Sequence, residues 1–416
     1  MSTGDEKGSP QTPFLGWRIV GAAAIAQGIA IGFTMGTFGI FLEPMEKAFG
    51  VSRAAVSWGL AGMNLVMNLA MPVLGGAMDR GSIRRIMIVG VVLNALAFVW
   101  ISRATALWEM LAAYTLLASL GTAMFGPLAS STLVANWFDA QRGRALGIVN
   151  TGGPLGVALA APLASWGVVQ LGWRETLMLF AITTLAVSLP AVWFLVVSRP
   201  SEAGQFSDGV AALDPVAPRS DAPAAPELSA RSLAGSRHFW SVAIACGLPI
   251  ASSIVFTAHL VAFAMGLGAN AQSASLLVSV QAAAAIGGTL LFGWLADRMP
   301  LPTLLLGSIA LQMCLLGVFM SEPSYAALLP TVAVMGVCMG GMLPVCGAMI
   351  GLNFGASAFG RVLGLVFVVS LPLAVIGPPA AGAIYDATGS YQRAFLALIL
   401  LFVVAAGALA LGKNRG

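Results

Sequence analysis

Charge is what this sequence lacks. Asp, Glu, Lys and Arg make up only 9% of its 416 residues, against a hydrophobic share of 58%. A soluble domain carries roughly 25% charged residues. A chain this apolar has too little polar surface to cover itself in water, so it reads as a protein embedded in lipid. Cysteine is scarce too: Cys246, Cys314, Cys338 and Cys346 all fall in apolar runs, at no metal-ligand spacing. That excludes a disulfide scaffold or a zinc centre and leaves core thiols; no metal and no cofactor are expected. The N-terminal MSTGDEKGSPQTP has neither the short apolar core nor the cleavage site of a signal peptide. The first apolar run is therefore expected to persist in the mature protein.

What is present is a series of apolar runs, each able to cross a ~30 Å hydrocarbon core with ~20 residues. Twelve begin near Ile19, Ala54, Ile86, Leu111, Ala145, Leu177, Val242, Ala274, Leu304, Ala326, Val362 and Phe395. The 49 glycines point to close helix packing, as at Gly28, Gly32 and Gly36, which share one face of the first run. With the N-terminus inside, the inner segments hold 15 of the 20 Lys and Arg residues and the outer segments five. This bias predicts a multi-pass protein of the cell (inner) membrane with both termini cytoplasmic.

The apolar rhythm breaks once, at residues 199–236, which carry prolines and acidic residues and no apolar run. This stretch reads as a disordered cytoplasmic linker. The chain then divides into a cytoplasmic tail (1–16), a six-helix bundle (17–198), the linker (199–236) and a second six-helix bundle (237–416). The bundles look like copies. GGAMDRGSIRR ends the second span of the first half and GWLADR that of the second, with Asp79 and Asp297 218 residues apart. Pro154 and Pro372 repeat that offset, and Arg144 and Arg361 nearly do. An even number of helices per repeat preserves orientation, so the pseudo-two-fold axis lies along the membrane normal, with a substrate site between the halves.

The G-x-x-x-D-R turns, at Gly75 to Arg80 and Gly293 to Arg298, resemble the mark of the major facilitator superfamily over nearly the whole chain. GWRIV at Gly16, TFGIFLEPMEKAFGVSRAAVSW at Thr37, NWFDAQRGRALGI at Asn136 and AHLVAFAMGLG at Ala258 resemble its monocarboxylate-porter-like branch. The resemblance implies an all-α membrane protein of twelve transmembrane helices in two six-helix bundles. It also implies that Asp79 and Asp297 close the cytoplasmic side by capping helix starts of the opposite half, near Arg361 and Arg142. Arg80, Arg84, Arg144 and Arg298 complete the expected gating set. In the first copy Gly-Ser-Ile follows Arg80, where one residue and then glycine is commoner in the family.

All 36 charged residues fall in loops or near helix ends, so polar lining must come from elsewhere. Asn64 and Asn68 stand four apart on one helix face; Gln27, Asn150 and Gln281 lie inside other spans. Each amide is either substrate contact or interhelical glue, and as a set they are the best available lining. His259 is the remaining ionisable residue well inside a span, since His238 sits at a helix start. It lies about 17 residues, ~25 Å, into its apolar run. An intramembrane ionisable group is a functional candidate by default, and in the family the seventh helix lines the cavity. Its imidazole could donate to a carboxylate when protonated.

Other family features are missing. The eighth-span Arg of monocarboxylate porters is Thr289 here, the first-span Lys falls at Gly36, and LLASLGTAMFG lacks the fourth-span Arg. Intramembrane proteolysis needs paired carboxylates or a Ser-His pair; no carboxylate is mid-span, and Ser357 lies inside while His259 lies in the outer half. No enzyme is expected. The expected function is secondary active transport of a small organic solute, a monocarboxylate-like acid, by alternating access. The alternatives are efflux of an uncharged or amphipathic compound and, more remotely, a non-transporting receptor. Expected partners are the small-molecule substrate and the lipid bilayer, with a coupled proton or other ion left open. No nucleic acid is expected, and the chain is expected to be a monomer.

Overall fold

In hydrocarbon each backbone N–H and C=O must be bonded within its own segment, and a helix achieves this without partners. The computed structural model describes residues 13–51, 53–209, 230–269 and 271–413. Among them twelve helices are long and apolar enough to cross a bilayer. The first six are α1 (Gly16–Leu42), α2 (Ala55–Arg80), α3 (Ile83–Arg103), α4 (Leu107–Trp137), α5 (Arg142–Gln170) and α6 (Trp173–Leu195). The second six are α7 (Arg237–Gly266), α8 (Leu276–Ala296), α9 (Leu301–Met320), α10 (Tyr325–Phe354), α11 (Ala356–Tyr385) and α12 (Gln392–Leu411).

The packing repeats from one half to the next. α1 packs on α5 as α7 packs on α11; α2 on α4 as α8 on α10; α3 on α6 as α9 on α12. The glycine stripe of α1 sets the first of these contacts. Gly28 and Gly32 lie against the backbone of Gly152 and Gly156, and a side chain at Gly32 would overlap the Gly156 carbonyl. Between the halves the principal contacts are α2 with α11 and α5 with α8, which the same two-fold axis exchanges.

The linker requires a correction. Residues 210–229 lie outside the described residues, as do 1–12 of the tail, but the stretch just after α6 is not free of the bundle. Trp137 Nε1 donates to the Val197 carbonyl and Asn136 Nδ2 to the Ser198 carbonyl. Arg199 donates to the carbonyl of Asp79 at 2.6 Å, and Gln205 bonds both Pro13 and Leu15. Asp208 accepts the backbone N–H groups of Asp139, Ala140 and Gln141. Low apolar content does not predict detachment when side chains meet the unpaired backbone groups of helix ends. This docking defines a linker end of the molecule, where α2 and α8 finish and α5 and α11 begin.

Candidate functional site

The G-x-x-x-D spacing places Gly75 and Asp79 on one face of α2, and Gly293 and Asp297 on one face of α8 and the turn after it. Gly75 meets Gly360 of α11, and any side chain there would collide with the Gly360 carbonyl. Gly293 in the same way faces Gly143 and Gly147 of α5. One turn on, each carboxylate closes a fork. Asp79 Oδ1 and Oδ2 accept the N–H groups of Gly360 and Arg361, both at 2.9 Å. Asp297 accepts those of Gly143 at 2.6 Å and Arg144 at 2.8 Å. The first N–H groups of a helix lack intrahelical partners and form its positive end, so a carboxylate fits there. Burial pushes the Asp297 carboxyl above its ordinary value, opposed by the two N–H groups it accepts.

The arginines divide into two groups. Arg142 is buried; its guanidinium donates to the Phe138 and Ala135 carbonyls and pairs with Asp139 at 2.7 Å, and it packs on Gly351 of α10. The Arg361 side chain lies over Gly76 of α2. These two sit at the crossings between halves. Arg84, Arg144 and Arg298 instead lie over the rings of Trp193, Trp17 and Trp294, and Arg80 is exposed. Arg144 reaches the fork through its backbone N–H. The unusual Gly-Ser-Ile after Arg80 also has a physical reason: Ser82 is the N-cap of α3 and accepts the Arg85 N–H.

The five amides are not gathered into one cluster. Gln27 Nε2 donates to Asn150 Oδ1 at 3.2 Å, joining α1 to α5. Among the described residues, Gln27 Oε1 and Asn150 Nδ2 have no hydrogen-bond partner, so one acceptor and one donor of this pair stay unused. Gln281 donates to Thr257 Oγ1 and Met339 Sδ, which ties α8 to α7 and α10. Asn64 and Asn68, half-buried, turn their Nδ2 groups onto the Leu60 and Asn64 carbonyls of their own helix. They continue toward the opposite end the stripe that carries Gly75 and Asp79. Pro72 and Pro154 stand four residues after Asn68 and Asn150, and a proline supplies no N–H to the carbonyl four residues back. A backbone acceptor is thus released beside each of these amides.

His259 lies seven residues, about 10 Å, before the end of α7, in the half of the membrane opposite the linker. Its Nε2 is 2.8 Å from the carbonyl of Pro378 on α11, and its Nδ1 is 3.2 Å from the hydroxyl of Tyr391 just before α12. A carbonyl only accepts, so Nε2 carries hydrogen and donates to it; with hydrogen on Nε2 alone, Nδ1 accepts a hydrogen bond from the Tyr391 hydroxyl. Tyr391 stacks on Tyr385. In this conformation both nitrogens join helices of the second half.

Several polar contacts were missed in the sequence. Thr289, in the place of an arginine, donates to the Gly340 carbonyl of α10 at 2.9 Å, which Pro344 leaves without its helical N–H. Asn94 on α3 is fully buried and donates to Thr34 and Thr122. Gln312 on α9, 218 residues later and equally buried, donates to Ser308 and Met342. The repeat offset, applied to every buried amide rather than to charges and prolines, would have found this pair. Asp208, Arg199 and Tyr391 carry no local signal.

A family model described as Major Facilitator Superfamily matches residues 24–299 and 250–415. Monocarboxylate transporter 11 of Mus musculus is 30% identical over 391 residues, covering 92% of this chain and 83% of that protein. The uncharacterized MFS-type transporter YcxA of Bacillus subtilis (strain 168) is 23% identical over 389 residues, 88% of each. Among solved structures, the Major Facilitator Superfamily transporter FucP in its outward conformation superposes with a TM-score of 0.71 at 15% identity. That likeness covers 97% of this chain and 99% of FucP, and it bears on the fold.

Proposed function

The chain belongs to the major facilitator superfamily, in its monocarboxylate-porter-like branch, and from that premise we propose that it moves a small monocarboxylate-like organic acid across the cell membrane by alternating access. It is a transporter rather than an enzyme. The linker end is the cytoplasmic side, in keeping with the excess of Lys and Arg there.

The observation that carries alternating access is the pair of two-fold-related forks, Asp79 on Gly360 and Arg361, Asp297 on Gly143 and Arg144. Each joins one half to the other, and both lie at one end. They act as latches: formed, they keep the cytoplasmic end shut; broken together, they let the halves part there. Gln27 and Asn150, with their unused donor and acceptor, and the half-buried Asn64 and Asn68 line the path. His259 receives the carboxylate. The protonated ring keeps Nε2 on Pro378 and turns Nδ1–H from Tyr391 to the substrate.

Uptake of short-chain monocarboxylates into vesicles holding the purified chain tests this. Saturable uptake of at least one acid is expected; no uptake of any acid would end the acid reading. The rival reading, export of an uncharged or amphipathic compound, draws on the occupation of both His259 nitrogens and on a membrane interior without fixed charge. Efflux of hydrophobic dyes in the same vesicles would favour it.

A further inference from the structure

Two carboxylates serve the start of α5, and only one belongs to a latch. Asp297 takes the Gly143 and Arg144 N–H groups from the other half. Asp208 takes three N–H groups just ahead of the helix, of Asp139, Ala140 and Gln141, at 2.9, 2.8 and 3.3 Å. Asp208 does so with φ at +58°, a left-handed conformation that costs a non-glycine residue free energy unless its surroundings hold it there. The corresponding stretch of α11 is instead a short 3-10 turn, Ala356–Ala358, at the very start of the helix. The segment that delivers Asp208 also touches the other latch, through Arg199 on the Asp79 carbonyl. Its described bonds all go to the first half: Asn136, Trp137, Asp79, Arg84, Pro13, Leu15 and the turn 139–141.

We propose that residues 196–209 form a strap that stays with the first half through the transport cycle, and that Asp208 is a positioning residue for the Asp297 latch. By ordering the turn 139–141 it fixes the direction of the N–H groups that Asp297 must find each time the cytoplasmic end closes. When Asp297 withdraws, Asp208 remains as the cap, so the start of α5 does not fray while the halves are apart. The two latches are then unequal: the linker orders the N–H groups that receive one aspartate, and at the other it meets only the aspartate's own carbonyl. This rests on the latch reading above.

The test reads the distance between the halves with spin labels at Arg85→Cys and Met299→Cys, both exposed. The background is Cys314→Ser, since the other three cysteines are buried. In nanodiscs without ligand, Asp297→Ala should widen the distance distribution. Asp208→Ala should widen it too, and add nothing in the Asp297→Ala background, because both act on one helix start. Asp208→Asn, which keeps one acceptor oxygen, should fall between. Amide exchange over residues 139–144 should quicken roughly 2- to 30-fold in Asp208→Ala, the span of measured capping losses. An unchanged distance in Asp297→Ala overturns the latch itself. Widening in Asp297→Ala beside no change in Asp208→Ala, or additive widening in the double variant, overturns the strap proposal alone.

Discussion

Asp79 holds the backbone N–H of Arg361 at 2.9 Å, although 282 residues separate them. The contact makes the end of one helix answer to the start of another in the opposite half. Two such bonds are made per aspartate, each charge-assisted and contributing about 1.5–3 kcal/mol before the cost of burying the carboxylate is subtracted. Asp79→Ala should therefore cut the transport rate at least tenfold while membrane insertion stays normal. The spin-label distance should widen as it does for Asp297→Ala. Wild-type uptake by a well-inserted Asp79→Ala variant would remove the latch from the mechanism.

Gly75 gives a steric test of the same crossing. A methyl group there collides with the Gly360 carbonyl, and overpacking of this kind costs about 1–3 kcal/mol. Gly75→Ala should bias the protein toward an open cytoplasmic end and slow transport. Gly317→Ala, where a methyl group meets nothing within 4 Å, should behave like wild type. Equal effects of the two variants would show that helix flexibility, not close approach, is what glycine provides.

For His259, the acid reading predicts that the ring supplies a charged hydrogen bond to the anion. His259→Gln should weaken acid binding roughly 10- to 150-fold, the loss of one charged hydrogen bond. Tyr391→Phe removes the competing hydroxyl from Nδ1 and should tighten it. Calorimetric titration with an acid that is transported would measure both. A silent Gln variant would leave His259 as a brace between helices and move the assignment to the export reading.

Asp297 gives a pH dependence whose sign can be worked out. Burial raises its carboxyl above the ordinary 3.8 in the latched state; released into water it returns to the ordinary value. The latched state therefore binds a proton more readily, and acidification favours it. The closed population of the cytoplasmic end should rise as pH falls through the raised value toward 3.8, with no slope well above both. The same labels at several pH values measure this, and the slope should be smaller in Asp297→Ala. A distance that widens on acidification in wild type alone would reverse the sign and refute the assignment.

The twelve spans and the two-fold repeat were legible in the sequence because hydrocarbon imposes one rule on every segment: bond the backbone internally and face lipid with apolar groups. A solvent that uniform writes itself into composition and period, and the repeat offset then pairs Asp79 with Asp297 without a structure. The capping role of both aspartates was legible for a similar reason, since a helix start needs an acceptor and G-x-x-x-D supplies one on a close-packed face. What the sequence could not decide was where neutral polar groups spend their hydrogen bonds. Gln27 bonds Asn150, Gln281 bonds Thr257, and His259 spans Pro378 and Tyr391, each across more than 20 residues of chain. Amides and imidazole both donate and accept, so any polar neighbour satisfies them, and only the packed helices choose which. Asp208 carries the same lesson into the linker. Its composition reads as free chain, yet three unpaired N–H groups ahead of α5 stand within its reach, and tertiary structure alone brings them there.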